Sequence, residues 1–249
     1  MDNDIGEEFI EKTKYNFLQS SDQQRGLPQP PLEIPFDPSK RLTNLPAPQS
    51  VLTDPTDLRR AIENRRSIRE YSSQPLSLGE LSFLLWCTQG VKQVTARPAT
   101  SRTVPSAGAR HAFETYLLVN RVEGLQPGLY RFLALEHKLA DVNLEPNIAD
   151  KVIEAITGQQ IVRTSAVTFI WTAVAYRMNW RYVERGYRYL HLDAGHVCQN
   201  LYLAGEAIKC GACAIGAFDD DAINSLLGID GKKQFVIYCA AVGKRKPTG

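Results

Sequence analysis

Apolar residues recur along this chain with two periods, and each change of period marks an element. Leu81, Leu84, Leu85 and Thr88 share one helical face behind Ser77-x-x-Glu80, a capping box, and Gly90 stops that helix. A longer face of Leu190, Ala194, Val197, Leu201, Ala204 and Ile208 predicts one helix from about Trp180 to Lys209. Runs rich in apolar and β-branched residues predict strands over 114–122, 128–133, 138–142, 166–175, 212–218 and 235–242. Shorter helices are expected over 148–157 and from Asp219-Asp220-Asp221 to Leu227. Asp54 as N-cap, Pro55 in the first turn and Asp57 announce a further helix through Ala61-Ile62. Residues 91–104 read as a polar loop. Strands in succession with few helical crossovers predict an α+β fold and not a doubly wound parallel sheet.

Residues 1–50 predict an N-terminal arm ahead of a globular domain over 51–249. Glu7 to Leu18 has the pattern of an amphipathic helix. Seven of the fourteen prolines lie between Leu27 and Pro48, so the arm is expected to run extended, without sheet hydrogen bonds. Leu32, Ile34, Phe36, Leu42 and Leu45 suggest that it wraps a surface.

Composition narrows the function classes. The chain has 249 residues, 43% of them hydrophobic and 22% charged, with a formal net charge of +2. That allows an ample core, and without a basic block it gives no nucleic-acid footprint. The polar start, Met1-Asp2-Asn3-Asp4, lacks a secretory pattern, and the run Ala166 to Ala175 is too short to span a bilayer. A cytoplasmic protein with no membrane partner is expected. The five cysteines (Cys87, Cys198, Cys210, Cys213, Cys239) sit among apolar residues, and Cys210-Gly211-Ala212-Cys213 has no second pair for zinc. No metal site is expected.

Arg65-Arg66-Ser67-Ile68-Arg69 is the densest chemical signal. If extended, Arg65, Ser67 and Arg69 share a face, with Arg66 and Ile68 on the other. Two guanidinium forks flanking a hydroxyl suit phosphate or another compact anion; a solvated basic turn is the plainer reading. G-x-G-x-x-G is absent, and Gly211-x-x-x-x-Gly216 continues as Ala217-Phe218, so neither a Rossmann site nor a P-loop is indicated. His191 and His196 are spaced five apart and no HExxH occurs. No G-x-S-x-G elbow is present.

Arg65-Arg66-Ser67-x-Arg69, Pro105-Ser106-Ala107-Gly108 and Gly128-Leu129-Tyr130, in that order, resemble the nitroreductase superfamily of FMN enzymes. Glu184-Arg185-Gly186-Tyr187-Arg188-Tyr189, Asp193-Ala194-Gly195-His196, Gln199-Asn200-Leu201-Tyr202 and Cys213-Ala214-Ile215-Gly216-Ala217-Phe218-Asp219-Asp220 are similar to its SagB-type dehydrogenase branch. The resemblance covers residues 54–243. It implies a mostly antiparallel sheet flanked by helices and an intertwined homodimer, with FMN at the subunit interface. Carried over by position, Arg65 and Ser67 hold the phosphate and ribityl chain, and Arg66 also reaches toward the phosphate. Arg69 approaches the N1/O2 edge of the flavin. Pro105, Ser106, Ala107 and Gly108 come from the partner subunit onto the ring. Ala214, Ile215 and Gly216 lie along its opposite face, with backbone N–H groups available. Lys244 and Arg245 are candidates for a further phosphate contact, against a solvated tail.

The implied activity is ping-pong hydride transfer from NAD(P)H to a small electron-poor acceptor, a nitro compound or quinone. The alternative is dehydrogenation of a peptide azoline or similar heterocycle. A reading of another class is a non-catalytic flavin carrier or scaffold in a biosynthetic complex. Azoline-oxidising members carry a Lys-Tyr pair where this chain reads Arg181-Tyr182. Arginine stays charged and is a poor base, whereas Tyr182 retains a proton to give or take. Catalytic and structural roles for Arg181 and Tyr182 both remain open.

Overall fold

The computed structural model describes residues 4–51, 56–97 and 99–246. The first elements are α1 (Ile5–Lys12), β1 (Leu42–Asn44), α2 (Leu58–Asn64) and α3 (Leu78–Gln89). Next come β2 (Val91–Val94), β3 (Thr100–Arg102), β4 (Phe113–Val119), β5 (Gly128–Leu133) and β6 (Lys138–Asn143). The chain continues through α4 (Ile148–Ala155), α5 (Gln160–Thr164), β7 (Val167–Val174), α6 (Ala175–Tyr182) and α7 (Gly186–Ala207). It closes with β8 (Cys210–Ile215), α8 (Asp220–Leu226) and β9 (Gln234–Lys244). Seven strands form one sheet in the order β1-β6-β5-β4-β7-β9-β8, and neighbours are antiparallel throughout.

Alternation along the central strands divides the core in two. Leu117 of β4, Phe169 and Trp171 of β7, and Ala240 and Val242 of β9 pack with Leu81, Leu84 and Leu85 of α3 and Leu190, Val197 and Leu201 of α7. Tyr116, Leu118, Ile170, Cys239 and Ala241 face the other way, against Ile148, Val152 and Ile153 of α4 and Ile223 of α8. A period of two sends successive side chains to opposite faces, and helices cover both, so these strands are mainly apolar on both sides. This is the expected α+β architecture, a mostly antiparallel sheet flanked by helices.

Several elements differ from expectation. Residues 91–104 are not a plain loop, because β2 and β3 pair as an antiparallel hairpin apart from the main sheet. Its Val and Thr residues suit a strand even where polar neighbours hide the pattern. The helix expected from Trp180 to Lys209 is two helices. α6 ends at Tyr182, Val183 takes φ +51° and ψ −139°, and one 3₁₀ turn leads into α7. A β-branched residue held there costs of order 1–3 kcal/mol, and tertiary packing sustains it. The helix at 58 has Asp57 as its N-cap, accepting from the Arg60 N–H at 3.0 Å; Asp54 and Pro55 lie outside the described residues. β8 starts at Cys210 and ends at Ile215, short of Phe218.

In the arm, Asp4 caps α1 and accepts from the N–H groups of Gly6 and Glu7, which sets the helix start at Ile5; the helix ends at Lys12, short of the expected Leu18. Leu42–Asn44 departs from the expectation of no sheet bonds: it pairs with β6 as an edge strand, in a stretch between Pro38 and Pro46 where every residue keeps its donor. The proline-rich part crosses a buried ionic cluster. Glu114 of β4 binds Arg131 of β5 at 3.1 Å and Arg177 of α6 at 2.6 Å, all three buried. The Ile34 N–H donates to Glu114 at 2.8 Å, and the two arginines donate to the carbonyls of Pro31, Ile34 and Pro35. Each charge thus finds partners, as burial requires.

Candidate active site

After α2 the cationic stretch lies along β8 as a fragment of strand. The Ile68 N–H donates to the Ala212 carbonyl at 2.9 Å, and Ser67 and Ala212 form a parallel bridge. Ile68 presses onto Gly211, where a Cβ would lie 2.5 Å from the Ile68 Cβ; only glycine admits the segment this close. With Ile68 turned to the sheet, alternation aims Arg65, Ser67 and Arg69 outward. The Arg65 guanidinium carbon sits 5.3 Å from the centre of the Tyr202 ring. The Ser67 and Tyr202 hydroxyls are 3.1 Å apart, and the Tyr202 oxygen accepts from the Ala214 N–H at 2.8 Å. Arg69 donates to the Ser67 carbonyl at 3.4 Å, and Arg66 is exposed. Among the described residues, no carboxylate pairs with Arg65, Arg66 or Arg69. Burial pushes the Cys213 thiol up, and the Arg69 charge opposes that shift.

The Pro105–Gly108 turn belongs to a second constellation. Asp193 of α7 is buried and accepts from the Ala107 N–H at 3.2 Å and from the Ser106 side chain. Burial raises the Asp193 carboxyl, and those two bonds with the His196 charge pull it back. Ser106 Oγ also accepts from the His111 N–H at 2.9 Å. Gly108 takes φ +58°, and a Cβ there would run into the Tyr182 hydroxyl and lie 3.0 Å from Arg181 Cδ. Small residues therefore bring the turn against Arg181 and Tyr182 of the same chain. Tyr182 stands edge-on to Tyr189 at 4.8 Å, and the Arg181 guanidinium lies 5.5 Å from the Tyr182 ring.

Asp193 and Tyr202 are nine residues apart on α7, about 14 Å along its axis. One chain therefore holds the two constellations at separate places. Of the third group, Gly216 is exposed with open space around it, whereas the Ile215 side chain is buried in the α4–α8 core. The Ala214 N–H is already engaged by Tyr202, contrary to its expected availability. Lys244 and Arg245 are neither a solvated tail nor open to an anion. Lys244 pairs with Glu80, and Arg245 with Glu206 while donating to the Cys210 carbonyl at 3.1 Å. Tyr202 and Asp193 stand inside motifs quoted for the resemblance, but nothing local to them in sequence announced a role.

Burial pushes the thiols of Cys198 and Cys210 up to about 12, as for inert core residues. Cys210 and Cys213 are three apart on one strand, hence on opposite faces. His191 and His196 are exposed. Among the described residues, no cluster of His, Cys, Asp and Glu has the makings of a metal site, and no helix is long and apolar enough to cross a membrane.

The signature of the nitroreductase family matches residues 62–244, which takes in both constellations. The chain belongs to the nitroreductase family. It is 34% identical over 181 residues to a nitroreductase-family protein of Methanocaldococcus jannaschii, covering 73% of this chain and 87% of that one. It is 27% identical over 133 residues to the trifolitoxin-processing protein TfxB of Rhizobium leguminosarum bv. trifolii, covering 52% of this chain and 36% of TfxB. A crystal structure of a nitroreductase-family protein from Anabaena variabilis matches with TM-score 0.63 at 29% identity, over 76% of this chain and 38% of that chain. This chain therefore spans well under half the length of those two relatives. A family structure from Desulfovibrio desulfuricans in complex with FMN shares the fold, with TM-score 0.55 at 18% identity over 79% of this chain and 90% of that one. Membership makes this chain an oxidoreductase of the nitroreductase superfamily.

Proposed function

We propose that this nitroreductase-family chain is an FMN-dependent enzyme of the cytoplasm, carrying electrons from NAD(P)H to a small electron-poor acceptor in ping-pong order. The observation that carries the reading is the Arg65–Ser67–Tyr202–Ala214 cluster beside Arg69. It is an outward-facing group of cations and hydroxyls with no carboxylate among the described residues to neutralise it. Such a group fits a phosphate and a polyol chain. Arg65 and Ser67 would hold that end, with Arg66 within reach at the surface. FMN held there would supply the hydride-transfer chemistry between a nicotinamide and the acceptor. Arg69, fixed beside them, would stabilise negative charge arising at the N1/O2 edge. The exposed backbone at Gly216, with open space around it, leaves a ring room to approach beside Ala214 and Ile215.

The small turn of Pro105, Ser106, Ala107 and Gly108 would meet that ring from a second copy, because within one chain it sits elsewhere along α7. A homodimer is therefore part of the proposal. So is the division into an arm over 1–50 and a flavin domain over 51–249. Five free cysteines fit a reducing compartment. Lys244 and Arg245, already paired, are left out of the site.

A second reading, SagB-type dehydrogenation of a peptide heterocycle, draws support from the likeness to TfxB. It also fits the contact between Tyr182 and Gly108, which puts a phenol proton beside the turn. A flavin carrier or scaffold is the third. Purified protein is expected to be yellow and to bleach under anaerobic NADPH or NADH. Yellow protein that neither donor bleaches favours the dehydrogenase or carrier. Colourless protein that FMN fails to reconstitute overturns all of them.

A further inference from the structure

A cavity of about 500 Å³ opens beside the Pro105–Gly108 turn, and its charge is one-sided. Arg97, Arg102, Arg110 and Arg181 line it, with His111 and Ser101, and no aspartate or glutamate does. The arginines are held there at a cost. Arg110 donates Nε to the Gly108 carbonyl at 3.1 Å and lies 5.3 Å from the Trp180 ring, which leaves its two terminal nitrogens without a partner among the described residues. Arg102 is buried and donates to Gln89 at 2.9 Å and Thr100 at 3.1 Å. The side chains of Arg97 and Arg181 have no hydrogen bond or ion pair among the described residues.

Like charges press on one another in this wall. Burial and then the Arg181 charge lower the Arg110 guanidinium. Burial and the Arg102 charge push His111 down to about 3, so the imidazole is neutral. The backbone beside the wall is strained as well. Ala109 and His111 take φ +53° and +42°, next to Gly108. Non-glycine residues hold that conformation only where the surroundings enforce it, and such strain gathers at ligand sites. Unrelieved cations around a cavity raise the local concentration of anions and pair strongly with carboxylates.

We propose that this cavity binds the carboxylate of the oxidisable or reducible substrate, so that the enzyme selects acidic molecules over neutral ones of the same reactivity. The inference deepens the flavin reading and rests on it, since the cavity adjoins the turn assigned to the ring. Arg110 and Arg181 face the substrate carboxylate near the turn, and the exposed Arg97 adds a further positive charge to the lining.

The test compares 4-nitrobenzoate with its methyl ester. With NADH each undergoes the same balanced step: the nitro group takes one hydride, which comes from NADH by way of the flavin, and one proton from solvent, giving nitroso and water, and NAD⁺ is released. The kcat/KM ratio of acid to ester is expected to exceed ten in the native enzyme and to fall about tenfold in Arg110→Gln, with Arg110→Lys between them; one charged contact supports that size of effect. Calorimetric titration of 4-nitrobenzoate onto the protein should show the same loss of affinity. A ratio near one in the native enzyme, or equal losses for acid and ester, overturns the inference. So does an effect confined to NADPH and absent with NADH, which would assign the wall to the dinucleotide's extra phosphate. If no flavin binds but the titration still shows Arg110-dependent affinity, the anion site stands and the flavin reading fails.

Discussion

Arg65 and Arg69 stand four residues apart on one face, with Ser67 between them, yet their surroundings assign them different work. Arg65 leans over Tyr202 beside the Ser67 hydroxyl, whereas Arg69 lies farther along β8, within electrostatic reach of Cys213. Arg65→Ala is expected to weaken FMN binding by about tenfold to a hundredfold, the loss of one strong charged contact. Arg69→Ala is expected to keep most of the FMN and to slow its reduction by nicotinamide. Flavin content after gel filtration and stopped-flow bleaching separate the two effects; equal, negligible changes would contradict the assignment. The shared face of Arg65, Ser67 and Arg69 was legible in the sequence because strand alternation is local. Tyr202 and Asp193 were not. Their partners lie 135 and 86 residues away, and no local pattern encodes such a contact.

At the scale of elements, the strands that build the centre of the sheet were readable because both faces are buried and the runs are mainly apolar and β-branched or aromatic. The hairpin of β2 and β3 was hidden by its polar residues. The break at Val183 was hidden because neither glycine nor proline marks it. A buried charge cluster is equally silent in sequence, since Glu114, Arg131 and Arg177 come from β4, β5 and α6. Glu114→Ala leaves two buried guanidiniums without their carboxylate and removes the acceptor of the Ile34 N–H. A loss of about 3–5 kcal/mol in unfolding free energy is expected, with earlier proteolysis in the arm around Ile34 than elsewhere. Denaturant titration and limited digestion measure both. Unchanged stability with an equally resistant arm would mean that the cluster does not fasten it.

For the whole molecule, the central claim is that one chain carries two halves of a site and completes neither alone. Separation of the two groups along α7 could not be read from motif order; that the turn comes from a second copy is what the family resemblance implied. Mixed dimers decide the matter. Arg65→Glu opposes the phosphate end, and Gly108→Asp puts a charge at the turn in a residue type that tolerates its left-handed backbone, with its Cβ displacing the tips of the Tyr182 and Arg181 side chains. Each variant alone should form a folded dimer with little FMN. In a purified mixed dimer one site carries both changes and the other carries neither, so about one FMN per dimer should return, bleachable by nicotinamide. Mixed dimers as empty as either parent would place both halves of the site within a single chain and contradict the account.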